Sequence, residues 1–194
     1  MELSPALYHK LIRPKWSTQK HIHQNVKEYF DFKNKKILDF GAGTGANCSL
    51  CSPNGYYGID PDINRINYAK QVYPEYSFEV FQDDTIQLKE FSVDMVLIVA
   101  VLHHIPPVQI ETYIKEFKRI LKPDEGKIIV IEPCFTNNNS FSNWFMKNND
   151  NGDYIQGEQG YLNYFHQQGF IPKVLKKYRK HFLYNELFFC ASLS

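Results

Sequence analysis

The chain has 194 residues, the length of one ordinary domain and enough to bury a large core. Its formal net charge of +1 gives no electrostatic footing for nucleic acid or an anionic membrane, and no apolar run approaches transmembrane length. Aromatic residues make up 15% of the chain, which points to a packed interior or an aromatic-lined pocket, and the N-terminus lacks the basic-then-apolar layout of a signal peptide, so a cytoplasmic location is expected.

Taken in order, residues 1–16 carry Leu3, Leu7, Tyr8, Leu11, Ile12 and Trp16 at mostly helical spacing. This N-terminal arm either packs or closes over a pocket. Ser17 or Thr18 is placed to cap a helix with apolar positions Ile22, Val26, Tyr29 and Phe30. Ile37, Leu38 and Phe40 then form a short buried strand, followed by Gly41-Ala42-Gly43-Thr44-Gly45. Glycine serves where φ must be positive or a ligand must approach the backbone closely. A short helix is expected next, and free N–H groups at its start favour an anionic group. Pro53-Asn54-Gly55 turns the chain into a second strand, Tyr56 to Ile59, ending at Asp60. Asp62 caps a helix through Ile63, Ile66, Ala69 and Val72, which Pro74 ends. Ser77 to Phe81 is a third strand, followed by the polar loop Gln82-Asp83-Asp84-Thr85.

Val93 to Val101 is almost wholly apolar, the signature of a central parallel strand covered on both faces. Leu102-His103-His104-Ile105 follows it. A long amphipathic helix then carries Ile110, Tyr113, Ile114, Phe117, Ile120 and Leu121, and 122–126 breaks it. Lys127 to Ile131 is a buried strand ending in Glu132-Pro133. Thr136 to Gly157 is polar and Asn-rich with embedded aromatics, and reads as a lid insertion over 136–158. A helix with Tyr161, Leu162 and Phe165 inward stops at Gly169, and two strands, Ile171 to Tyr178 and Leu187 to Leu193, complete an α/β chain. The basic run from Lys173 to Lys180 suits an outer strand whose lysines discourage edge pairing. Cys48 and Cys51 have no second pair and no nearby His, so ordinary thiols and no metal site are expected.

Gly41-x-Gly43-x-x-Ala46 fits the dinucleotide pattern, with Asp60 near the ~20-residue spacing of a ribose-binding acid, so the glycines alone do not separate NAD from another nucleoside cofactor. Asp39 helps separate them, because an acid beside the loop repels a diphosphate and suits a cofactor bearing an ammonium. Asp39-x-Gly41-x-Gly43-x-Gly45 resembles motif I of class I S-adenosylmethionine-dependent methyltransferases, in which the loop backbone lies along the methionine part of the cofactor. The resemblance is strongest at Asp39 to Gly45, Asp60 and Val101 to Ile105.

It implies a single Rossmann-like domain, an α/β/α sandwich on a mainly parallel seven-stranded sheet with an antiparallel C-terminal hairpin strand. It also implies methyl transfer to a small molecule, with the acceptor atom and the oligomeric state open. The cofactor residues implied are Asp39, Gly41, Ala42, Gly43, Gly45, Asp60 with Pro61, one of Asp83 and Asp84 at adenine, and the Ala100 backbone. His103 and His104 are the acid/base candidates, with His103 favoured at the pocket and Glu132 as its carboxylate partner. Tyr8 and Trp16 from the 1–30 arm and Trp144 and Tyr154 from the insertion are placed to shelter a cationic donor and an apolar acceptor. Three other readings stay open: an NAD-binding domain, an aminopropyl-transferring relative and a cofactor binder without turnover.

Overall fold

The computed structural model describes residues 15–137, 140–150, 152–180 and 183–193. Tyr8 and the rest of the arm up to residue 14 lie outside the described residues. The chain divides into two compact units, the first ending at Asp83 and the second starting at Asp84.

The first unit opens on a continuous helical run: α1 (Lys15–Thr18), a π-helical turn (Gln19–His23) and α2 (Gln24–Tyr29). Ser17 and Thr18 do not cap it. Both are buried inside the run, and Thr18 is right-handed helical with no side-chain cap bond. Ile22 and Val26 are buried, but Tyr29 is exposed. The wider i→i+5 bonding of the π turn shifts the buried face relative to a regular helix.

That face also buries His23. Burial, with the Lys27 charge second, pushes its pKa down from 6.5 to about 4. Between those values the unfolded chain takes up a proton that the folded chain refuses. Stability should therefore be intact above about pH 6.5 and fall as the pH drops toward 4, by about 2–3 kcal/mol from this group. Urea midpoints at pH 7 and 4.5 check it: His23→Gln should lose less between the two than the parent does.

The sheet half of this unit is β1 (Ile37–Phe40), β2 (Tyr56–Asp60) and β3 (Ser77–Val80). β2 pairs in parallel with both β1 and β3. All four residues of β1 are buried, the apolar Ile37, Leu38 and Phe40 and with them Asp39. α3 (Ile63–Val72) starts at Asp62, whose carboxylate accepts the N–H groups of Asn64 at 2.8 Å and Arg65 at 3.2 Å. The helix ends at Val72, two residues before Pro74.

In the second unit β4 (Met95–Val99), buried throughout, pairs in parallel with β5 (Lys127–Pro133). α4 (Pro107–Ile120) buries Ile110, Ile114, Phe117 and Ile120. α6 and the hairpin come later in the chain: α6 (Glu158–His166), then β6 (Phe170–Lys180) and β7 (Tyr184–Leu193). Tyr161, Leu162 and Phe165 of α6 face inward, and Gly169 turns the chain at φ +81°. Phe165 meets Phe189 edge-on at 5.3 Å, and full burial of each ring is worth about 1.5–3 kcal/mol. β7 is antiparallel to both β5 and β6, and the strand order of the seven-stranded sheet is β3-β2-β1-β4-β5-β7-β6. The arrangement is Rossmann-like, with the lysine-rich β6 at the edge.

The polar insertion is not a bare loop. It contains α5 (Ser140–Asn149), with Met146 and Ser142 buried. Asn143 ties the segment to its own start: its Nδ2 donates to the Thr136 carbonyl at 2.7 Å, and its Oδ1 accepts the Thr136 N–H. Phe141 and Trp144 stack on the opposite, exposed side. The Ser142–Met146 spacing is the helical anchor that the Asn-rich composition hides.

Candidate active site

In the first unit the loop after β1 is built by three left-handed glycines, with φ +78° at Gly41, +54° at Gly43 and +78° at Gly45. A Cβ on Gly45 would also stand 2.7 Å from the Phe78 ring, so both backbone and space demand glycine there. No regular helix follows: 44–47 is a turn and Cys48–Leu50 a single 3-10 turn. The anion-cradle reading of the loop fails for a second reason. Four of its five N–H groups are already used. Gly41 and Ala42 both donate to the Ile59 carbonyl, at 2.8 and 2.9 Å, and Gly45 donates to the Ala42 carbonyl. Gly43 donates to Asp60 Oδ2 at 2.9 Å.

Asp60 is therefore the loop's anchor as well as its candidate ligand. It is buried, and its Oδ1 accepts the Asp62 N–H at 3.0 Å. Desolvation raises its pKa against these two bonds, which favour the charge. Asp39 is fully buried beneath the loop and accepts a 2.6 Å hydrogen bond from the Tyr56 hydroxyl. Tyr56 was not singled out by sequence. Its only signal is its position on the neighbouring strand, two residues before Gly58, the partner of Asp39 in the register. Pro61 is exposed, and so are Asp83 and Asp84, at the boundary between the units.

In the second unit the end of β4 is strained. Ala100 has φ +55°, a left-handed conformation that costs a non-glycine residue of order 1–3 kcal/mol. Two sets of bonds hold it there. Ala100 N–H donates to the Ile131 carbonyl at 2.8 Å. Glu132 Oε1 accepts the next two N–H groups, Val101 at 2.7 Å and Leu102 at 2.8 Å. The chain is thus bent into the 3-10 turn Leu102–His104. The second oxygen of Glu132, itself wholly buried, lies 2.6 Å from His103 Nδ1.

The structure brings Glu132 and His103 together, as the sequence pairs them, and encloses His103. Its ring is buried, its Nε2 lies 3.3 Å from Asp150 Oδ1, and Gly152 packs against it so closely that a Cβ there would stand 2.1 Å from the ring. Burial opposes a charge on His103, yet Glu132 and Asp150 outweigh it and push its pKa up to about 9. A pKa raised in this way favours the protonated ring, which works against a general-base role at neutral pH. His104 is the exposed member of the pair, its ring 4.0 Å from that of His103. Asp150 was missed by sequence because it lies far along the chain in the polar insertion.

Of the expected aromatic shelter, Trp16 and Trp144 are exposed and Tyr154 is half-buried. Tyr154 is fastened here, its N–H donating to the His103 carbonyl at 2.9 Å. The four cysteines are free. Burial pushes the Cys48, Cys51 and Cys134 thiols up to about 12, which rules them out as neutral-pH nucleophiles.

A family profile described as a methyltransferase domain matches residues 15–171. A methyltransferase of Oceanobacillus iheyensis is 26% identical over 119 residues, spanning 59% of this chain and 54% of its own length. The chain thus spans about half the length of that relative. Among solved structures, the PH0226 protein of Pyrococcus horikoshii aligns with TM-score 0.74 at 15% identity over 94% of this chain and 92% of that one. A SAM-dependent methyltransferase of Archaeoglobus fulgidus aligns with TM-score 0.74 at 14% identity over 96% and 97%. The magnesium protoporphyrin IX methyltransferase of Synechocystis, solved with bound SAH, aligns with TM-score 0.70 at 17% identity over 94% and 85%.

Proposed function

The chain belongs to the methyltransferase domain family, and from that premise we propose that it transfers a methyl group from S-adenosylmethionine to a small-molecule acceptor. The observation that carries the cofactor reading is the loop of three left-handed glycines closed onto Asp60. S-adenosylmethionine supplies a methyl carbon already activated by its sulfonium, so the protein's task is to bind and align. Each Asp60 oxygen accepts one N–H and keeps a lone pair for a ribose hydroxyl. Pro61 and the exposed Ile63 offer an apolar wall to adenine, and Asp83 or Asp84 an acceptor for its amino group. The buried Asp39 puts a carboxyl group beneath the loop, which suits the ammonium of a methionine moiety better than a diphosphate. The backbone at Ala100 is the element assigned to the methionine end.

On the acceptor side, the 136–158 segment is proposed as the cover, with Trp144 and Tyr154 as its aromatics and Trp16 as a contribution from the N-terminal arm. His103 and Glu132 act by positioning: they set the turn that presents His104. Four free thiols suit the cytoplasmic location proposed here, and among the described residues no helix is long and apolar enough to cross a membrane.

Calorimetry with S-adenosylmethionine and with NAD, followed by assay of S-adenosylhomocysteine release with small hydroxyl and amine acceptors, tests this reading. Binding of the first cofactor and product release with at least one acceptor are the expected results. Binding of NAD alone would overturn it.

A further inference from the structure

His103, His104 and Asp150 bring one imidazole nitrogen each and a carboxylate oxygen to within 4.8 Å of one another. We propose that these three side chains hold a divalent transition-metal ion of the zinc type, with Glu132 as the outer carboxylate that orients His103. Two imidazoles and one carboxylate form a borderline donor set. It suits zinc and its first-row neighbours and does not suit magnesium or calcium, which take oxygen ligands.

The surroundings of His103 are those of a metal-bound histidine. Glu132 holds Nδ1 at 2.6 Å, so Nε2 is the nitrogen turned toward Asp150. A carboxylate on the far nitrogen fixes the tautomer and ring angle of a ligating histidine. Glu132 is in turn immobilised by the Val101 and Leu102 N–H groups. The separation of His103 Nε2 and Asp150 Oδ1, 3.3 Å, is long for a charged hydrogen bond. It matches the edge of a tetrahedron around an ion with bonds of about 2.0–2.2 Å, which is roughly 3.3–3.6 Å. Asp150 is positioned as well: Gly152 N–H donates to its Oδ1 at 2.8 Å, and the Tyr184 hydroxyl bonds its carboxylate. His104 is exposed, so a rotation of its side chain can close the third bond. The ion takes the Nε2 lone pair, and the proton held there in its absence leaves to solvent.

Three protein ligands leave a coordination position open, as in catalytic rather than structural sites. An acceptor hydroxyl bound there would ionise near neutral pH. Its proton goes to solvent, its oxygen forms the bond to the methyl carbon, and the carbon–sulfur bond of the donor breaks. This role rests on the methyl-transfer reading. The binding of the ion does not.

The test is a calorimetric titration of zinc chloride into the full chain after treatment with a chelator, with no methyl donor present. One ion per chain is expected. Loss of an outer partner weakens a metal site roughly 10–100-fold, so His104→Ala and Asp150→Asn, each removing a direct ligand, should weaken binding at least that much. His104 is exposed, and an unchanged unfolding midpoint for its variant separates a lost ligand from a lost fold. No saturable binding to the parent would leave His103 as a protonated tie between two carboxylates and overturn the proposal. Unchanged affinity in either variant would overturn it too, since the ion would then sit elsewhere.

Discussion

Glu132→Ala should be among the most destabilising single substitutions in this chain. Glu132 is wholly buried and accepts from three donors: the Val101 and Leu102 N–H groups and His103 Nδ1. Truncation strands all three, two of them, Leu102 N–H and His103 Nδ1, fully buried. It also leaves a buried imidazolium with only Asp150 as its counter-charge. Breaking a buried ion pair from one side costs about 3–5 kcal/mol, against a typical total of about 5–15 for a domain. The strained Ala100 would lose the grip on the two residues after it, so the turn that presents His104 should loosen as well. Urea unfolding measures the effect. Glu132→Gln should fall between parent and Ala, because one amide oxygen can still accept while the other position becomes a donor facing the imidazole. A Glu132→Ala variant within about 1 kcal/mol of the parent would mean that the clamp is not what holds this turn.

Asp60→Ala should weaken S-adenosylmethionine binding by about 1.5–3 kcal/mol, roughly tenfold to 150-fold, the scale of hydrogen bonds to a charged group. Two effects contribute. The ribose loses its acceptor, and the glycine loop loses the anchor that Gly43 N–H makes with Oδ2. A cofactor analogue lacking the ribose hydroxyls separates them. Parent protein should bind that analogue more weakly than the natural cofactor, while the Asp60→Ala protein should scarcely distinguish the two. If the variant discriminates as strongly as the parent, Asp60 shapes the loop and does not read the ribose.

Both predictions concern residues that the sequence had already marked, yet it marked them for only part of what they do. Asp60 is legible because an acid at a strand end after a glycine loop has few other uses. That it also closes the loop depends on Gly43 N–H turning toward it, which follows from φ +54° at that residue and from no pattern in the chain. Glu132 is legible as the polar end of an apolar strand. That it grips three successive residues of another strand's exit is a matter of the parallel pairing of β4 with β5.

By itself the sequence determined what repeats or what only glycine can do. Alternating apolar runs laid out the strands and helices, because burying a face demands a period. Asp39-x-Gly41-x-Gly43-x-Gly45 specified the loop, because three left-handed positions at alternate residues are accessible to no other residue without strain. Tertiary structure alone decided the state of the titrating groups. In one dimension His103 was the favoured base of the pair. It is enclosed and charged because Glu132 and Asp150 reach it from positions far along the chain and Gly152 seals its ring. A side chain's pKa and exposure depend on what surrounds it in space, and residues that meet only through folding leave no local period for a sequence to display.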